Sequence, residues 1–365
     1  MEQPKEQLKD NTNPIKQFNK KNGLWKLLDE LSIKKGITEI TINSPNNTFV
    51  EKEGRFFLLD IKLSEQEIFE FTKEIASFNN KKCDQNNPIL DGNLPDGSRI
   101  NIIHPPFVKP TPVITIRKYL SHILSFKDSP SIFGLNEKWI TFIRAAIKGK
   151  LNMIVCGGTG AGKTTMLNLL LQEIPKEERV ITIEDTRELN FKIPNLVHLV
   201  AGAGSGSDVK SGITLSIRDL VKNTLRMRPD RIIIGEVRGG EIFDLLQAMN
   251  TGHDGSMASI HASSPAECLT RMNTIYMLAG YDIPMRAIKG QISQAINFLV
   301  QISRNKEGER IVSEIAEITG MEGENILMQV LARYENGQLI STGLVPHCMR
   351  KLEHGGLKRD FFNSL

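Results

Sequence analysis

No apolar run in this sequence approaches the roughly 18 residues that would suggest a membrane span. The opening stretch, MEQPKEQLKDNTNPIKQFNKKNG, lacks the apolar core of a secretory signal and reads as a disordered polar tail over 1–21. Cysteine is scarce. Cys83, Cys156, Cys268 and Cys348 show no metal-ligand or redox spacing, which excludes a disulfide framework and suits reduced small hydrophobes in a cytosolic protein. Aromatic residues make up 6% of the chain and do not alternate with Lys or Arg, so no stacking platform for single strands is visible. Charge of one sign is nearly balanced by the other. The formal net charge of +4 fits anionic lipid heads or nucleic acid without arguing for either.

What is present is ordinary in amount, with 40% hydrophobic and 24% charged residues, and informative in order. The segment 22–35 spaces Leu24, Leu27, Leu28 and Leu31 as a helix does. The segment 36–60 reads as strand, Asn/Pro turn and strand. Ser64 and Glu67 form a capping-box pattern ahead of an amphipathic helix over 65–78. Two β-rich runs, 99–103 and 113–118, complete an α+β domain over 22–118. Residues 119–135, with Pro130 and Gly134, read as a linker or hinge. A helix capped by Asn136 then opens the second domain, 136–365, with Trp139, Ile140, Phe142, Ile143, Ala146 and Ile147 as its apolar stripe. From 151 onward, short apolar strands alternate with amphipathic helices, which implies a parallel sheet covered on both faces. The C-terminal part is expected to be helical.

The segment VCGGTGAGKTTMLNLL, 155–170, carries the most specific signal. Gly157, four residues, then Gly162, Lys163 and Thr164 match G-x-x-x-x-G-K-[ST] between a strand and a helix. Glycines at 157, 158, 160 and 162 let the backbone from Gly157 through Thr159, Ala161 and Thr165 wrap its N–H groups around phosphates. Lys163 supplies a cation for the β- and γ-phosphates, and the Thr164 hydroxyl suits Mg²⁺.

Hydrolysis needs a further group at a neighbouring strand end. RIIIGE ends in Glu236, with Gly235 at the usual aspartate position, so Glu236 is the candidate to polarise water. ITIEDTREL offers Glu184 and Asp185, one of which is expected to hold Mg²⁺ through its water. His261, at the end of SMASIHA, falls on the phosphate-loop edge of the sheet and could sense the γ-phosphate. His253 is a weaker candidate from the same polar stretch.

GGTGAGKTT, IEDTREL, LRMRPDRIIIGEVRGGE and NTGHDGSMASIHASSPAECLTRM occur in that order. They resemble the Walker A, Asp-box, Walker B and His-box series of bacterial type II/IV secretion ATPases, and LPDGSRINIIHPP…ITIRK is similar to the upstream domain of that family. YMLAGYDIPMRAIKGQISQAINFLVQISR, ITGMEGENI and STGLVPHCMRKL resemble the tight-adherence (Tad/Flp) pilus assembly branch of CpaF type. The resemblance covers about 36–365. It implies an α/β fold, a RecA-like P-loop NTPase domain preceded by a smaller α+β domain, with ATP and Mg²⁺ bound between the two. It implies a homo-hexameric ATPase coupled to mechanical work, in the cytoplasm and peripheral to the cytoplasmic face of the inner membrane, with inner-membrane platform proteins as partners. Nucleic acid is not expected to be obligatory. By the same resemblance Glu236 is the catalytic glutamate, Glu184 the Asp-box glutamate and His261 the His-box histidine. Arg99 and Arg117 would reach the phosphates from the N-terminal domain, and Arg226, Arg228 and Arg238 are the loop arginines.

Two departures stand out. Relatives in this branch often carry a longer N-terminal region than the short polar tail seen before residue 22. The loop VAGAGSGSDVKSG, 200–212, has no arginine where relatives often have charged residues, and its composition suggests mobility. Rival functions are a type IV secretion or conjugation ATPase, a DNA-translocating RecA-like motor, and a nonhydrolytic nucleotide-sensing scaffold.

Overall fold

The computed structural model describes residues 23–32, 34, 36–52, 54–118, 125–127, 132–203 and 214–362. The polar tail, residues 119–124 and 128–131 of the 119–135 linker, and the 204–213 part of the glycine-rich loop lie outside the described residues. The described residues divide into two units, one over 23–118 and one over 125–362.

The first unit holds α1 (Gly23–Ser32), β1 (Ile37–Ser44), β2 (Asn47–Lys52), β3 (Arg55–Leu59), α2 (Glu65–Phe78), β4 (Ile89–Asn93), β5 (Arg99–Ile103) and β6 (Val113–Arg117). Its strands form one antiparallel sheet in the order β3-β2-β1-β6-β5-β4. The segment expected to give strand, turn and strand gives three strands, because Gly54 adds a second reversal at φ 79°. β4 escaped the sequence reading because Asp91, Gly92 and Asn93 are poor strand formers, and its pairing with β5 overrides that preference. Ser64 and Glu67 do exchange hydrogen bonds at the start of α2, as the capping box requires. Ile40, Ile42, Ile100, Ile102, Ile114 and Ile116 share one core with Leu24, Trp25, Leu28, Phe71 and Ile75 of the helices. Alternation puts the intervening residues on the other sheet face. There Glu39, Arg117 and Arg99 occupy one register row across β1, β6 and β5.

The second unit begins, after a 3-10 turn at Ile132–Gly134, with α3 (Glu137–Lys148). The Asn136 side chain accepts from the Trp139 N–H at 3.1 Å, and the whole apolar stripe is buried. There follow β7 (Met153–Gly157), α4 (Lys163–Leu171), β8 (Val180–Glu184), β9 (Leu196–Val200), the two-residue pair β10 (Gly202–Ala203) and β11 (Thr214–Leu215), and α5 (Ile217–Thr224). Next come β12 (Arg231–Ile234), α6 (Glu241–Asn250), β13 (Met257–His261), α7 (Pro265–Met277), α8 (Met285–Ala295), β14 (Phe298–Arg304), β15 (Arg310–Glu322), β16 (Asn325–Glu335), β17 (Gln338–Ser341) and α9 (Met349–His354). The nine-stranded sheet has the order β17-β16-β15-β14-β7-β13-β12-β8-β9. Strands from β14 to β9 are parallel, and β15, β16 and β17 extend the sheet as an antiparallel meander.

This corrects two expectations. The sheet is mixed rather than wholly parallel, and beyond α8 the C-terminal part is mostly strand rather than helix. β15 and β16 pair as one long hairpin that reverses at Gly323, with a register shift where Gly320 interrupts the β15 run. Residues of α3, α4 and α9 contribute to one buried cluster, and residues of α5, α6, α7 and α8 to the other, so helices cover both faces.

Candidate functional site

The parallel strands point their C-terminal ends at one edge of the sheet, and that shared direction assembles the site. His261 pairs in register with Gly157, and Glu184 and Gly235 lie one residue beyond the paired Ile183 and Ile234. The phosphate loop, Gly157–Gly162, joins β7 to α4. Gly162 caps α4 at φ 102° and offers no side-chain cap, so the first-turn N–H groups are left for an anion. Only glycine fits there, because a Cβ would also stand 2.9 Å from Arg310 Cδ and 3.0 Å from Phe133 Cζ.

Lys163 Nζ donates to the carbonyls of Gly157 at 3.1 Å and Gly158 at 3.2 Å, and stands 3.8 Å from Glu236 Oε1. The other Glu236 oxygen, Oε2, accepts from Arg238 Nε at 2.8 Å. Arg238 Nη1 in turn faces Asp185 Oδ2 at 3.5 Å. The backbone beneath this row is fixed. Glu241 Oε1 accepts the Arg238 N–H at 2.6 Å and the Gly239 N–H at 2.9 Å, and Ser259 Oγ donates to the Gly235 carbonyl at 2.6 Å. Lys163, Glu236, Arg238 and Asp185 thus form a row of alternating charge at the mouth of the loop.

Gly235 explains the missing aspartate. A Cβ there would stand 3.0 Å from Glu184 Cγ, so the neighbouring strand's glutamate fills the space a side chain at 235 would need. Glu184 is buried, and burial raises its pKa to about 7, opposed by the N–H groups of Glu188 and Leu189, each donating to its Oε1 at 2.9 Å. It anchors the turn after β8. That turn brings Glu188, which the sequence reading missed, within 3.1 Å of the Thr164 hydroxyl, which donates to its Oε2. Asn168 steadies the arrangement by donating to the Glu188 carbonyl and accepting from the Asn190 N–H. Spacing could have flagged Glu188, four residues after Glu184, but nothing in a loop sequence says which carboxylate turns toward Thr164.

Among the described residues no three His, Cys, Asp or Glu cluster to cage a metal. A Mg²⁺ ion fits the Thr164 hydroxyl with Glu188 behind it, because Mg²⁺ keeps waters and takes few protein ligands beside substrate phosphates.

Three predicted residues are not brought to the loop within this chain. Arg226 and Arg228 follow α5 and precede β12, at the N-terminal edge of the sheet. His253 precedes β13 at that same edge, where its ring and its N–H both contact the Ala248 carbonyl at 3.2 Å. Arg99 and Arg117 belong to the other unit. Two further arginines were missed. Arg304 Nη2 donates to the Gly160 carbonyl at 3.1 Å, and Arg310 packs against Gly162 from the paired position on β15.

Residues 26–334 match the type II/IV secretion system protein family, and the chain belongs to it. It is 32% identical to the type IV secretion system protein VirB11 of Bartonella quintana, over 77% of this chain and 88% of the relative. It is 30% identical to the conjugal transfer protein TrbB of Rhizobium radiobacter, over 82% and 89% respectively. The ATPase DotB of Legionella pneumophila shares the fold at a TM-score of 0.56 and 19% identity, over 86% of this chain and 81% of that one. The α/β class expected from the sequence is therefore the observed one.

Proposed function

We propose that this chain hydrolyses ATP and passes the energy as mechanical work to a secretion or pilus-assembly machine. The supporting observation is the Glu236 carboxylate, held between Lys163 and Arg238 at the mouth of a phosphate loop. Lys163 and the first-turn N–H groups of α4 bind the phosphates. Glu236 orients the attacking water and takes its proton. Arg238 and Asp185 hold Glu236 in place, and His261 reports the γ-phosphate from the adjacent strand. Mg²⁺, when bound, would neutralise charge on the β- and γ-phosphate oxygens; Thr164 and Glu188 are the residues to hold it. Arg99 and Arg117 supply cations of the N-terminal unit, whose planar forks suit phosphate oxygens.

We assign the chain to a homo-hexamer acting with inner-membrane platform proteins at the cytoplasmic face. Among the described residues no helix is long and apolar enough to cross a membrane, which is compatible with peripheral association. The C-terminal segments favour Tad/Flp pilus assembly. The second reading, conjugation or type IV secretion, is favoured by the names of the VirB11 and TrbB relatives.

Purified full-length protein should hydrolyse Mg·ATP, and Lys163→Ala should abolish nucleotide binding or nearly so. Normal ATP affinity in that variant removes the assignment. Many-fold stimulation by DNA with steep salt dependence would select the DNA-motor rival instead. Pilin and platform genes beside this one select pilus assembly, whereas conjugation genes select the second reading.

A further inference from the structure

We propose that Arg304 is a positioning residue for nucleotide binding, a brace that sets the shape of the phosphate loop from the side. This rests on the nucleotide-binding role proposed above. Arg304 is the last residue of β14, three positions beyond Gln301, which pairs with Cys156 on β7. Its guanidinium has two arms engaged. Nη2 donates to the Gly160 carbonyl at 3.1 Å, at the exposed tip of the phosphate loop, and Nη1 donates to the Gly308 carbonyl at 2.8 Å, in the turn between β14 and β15.

That turn is a firm abutment. Asn305 N–H donates to the Glu309 carbonyl at 2.9 Å, and Gly308 N–H to the Asn305 carbonyl at 3.0 Å. The Asn305 side chain adds two bonds, accepting from the Glu309 N–H at 2.8 Å and donating to Glu309 Oε2 at 2.9 Å. The loop tip has no comparable support of its own. Gly160, at φ 69°, is the most permissive kind of residue, and Thr159 and Gly160 are both exposed. A peptide plane carries its carbonyl and the following N–H on opposite sides. Fixing the Gly160 carbonyl on Arg304 therefore also fixes the Ala161 N–H, which donates to the Gly158 carbonyl at 3.3 Å and closes the turn at the loop tip. Arg304 holds the loop tip in this one turn conformation, and a phosphate gains affinity because that ordering is already done. Lysine could not replace it, since a single ammonium on a flexible stem does not hold two separated carbonyls in one plane as the fork does.

The test is equilibrium binding of fluorescent ATP and ADP analogues to full-length wild type, Arg304→Ala and Arg304→Lys, with thermal melts to show that each folds. One hydrogen-bonded tether of this kind is worth a fold-change of about three to ten in Kd. Arg304→Ala should weaken ATP and ADP by the same factor, because the loop cradles phosphates common to both. Arg304→Lys should stay near the alanine value. An unchanged affinity in Arg304→Ala overturns the brace. So does a loss confined to ATP, which would mean direct contact with the γ-phosphate, or full rescue by lysine, which would mean that charge alone matters. Wild-type protein that binds neither nucleotide removes the proposed function and the brace with it; wild-type binding beside an unaffected variant removes the brace alone.

Discussion

The two edges of the large sheet carry similar residues and use them in opposite ways. At the N-terminal edge Arg231 is fully buried, and its donors are taken by both Glu178 oxygens and the carbonyls of Gly255 and Ile147. Asn152 beside it is equally engaged, accepting from the N–H groups of Gly255 and Ser256 and donating to Ala295. At the C-terminal edge Lys163, Glu236 and Arg238 meet side by side but keep contact with solvent, and α4 begins without a side-chain cap. A polar cluster that closes on itself stabilises the fold. One that leaves donors and charges open to solvent can bind something else.

The sharpest break of this comparison is at Glu236. Glu236→Gln should bind ATP yet lower turnover by roughly 10²–10⁴-fold, because the amide cannot take a proton. Steady-state phosphate release checks this, and turnover within a few-fold of wild type would move the base to Glu184, Asp185 or Glu188. The closed edge should respond in stability instead. Arg231→Met strands Glu178 and two carbonyls, at a cost of about 3–5 kcal/mol in denaturant unfolding. ATP affinity of the folded variant should be unchanged, and a large affinity loss would show that the two edges are not independent.

Glu184 sharpens the contrast because it is a buried, bonded group at the open edge. Its folded pKa of about 7 lies above the ordinary 4.5. Between these values the folded chain keeps a proton that the unfolded chain releases, so stability falls as pH rises through that window, by about 3 kcal/mol in all. Below 4.5 both states hold the proton and the penalty is absent. Glu184→Gln keeps an oxygen for the Glu188 and Leu189 N–H groups and has no proton to lose, so its unfolding free energy should lack this fall. Parallel wild-type and variant curves from pH 5 to 8 would refute the assigned protonation. The smallest effect is expected at His253, whose substitution by Ala should leave ATP affinity within about twofold, as for a residue away from any site. A tenfold loss would mean that the closed edge of one chain meets nucleotide elsewhere, as it could in a ring.

The sequence by itself determined the phosphate loop, because G-x-x-x-x-G-K-[ST] places all its chemistry within eight consecutive residues between one strand and one helix. It determined the caps at Ser64 and Asn136 and the apolar stripe of α3 for the same reason, since each depends on neighbours three or four positions away. Glu236 and His261 were legible as strand ends, once the strands were read as parallel. Which carboxylate meets Thr164, which arginine donates to Gly160, why residue 235 is glycine, and to which edge Arg226, Arg228 and His253 belong were decided only by the tertiary structure. Those contacts join residues 24 to 144 positions apart or turn on the course of a whole strand. Local spacing carries no information about them, because strand order and loop direction are set by how the entire sheet buries its two faces.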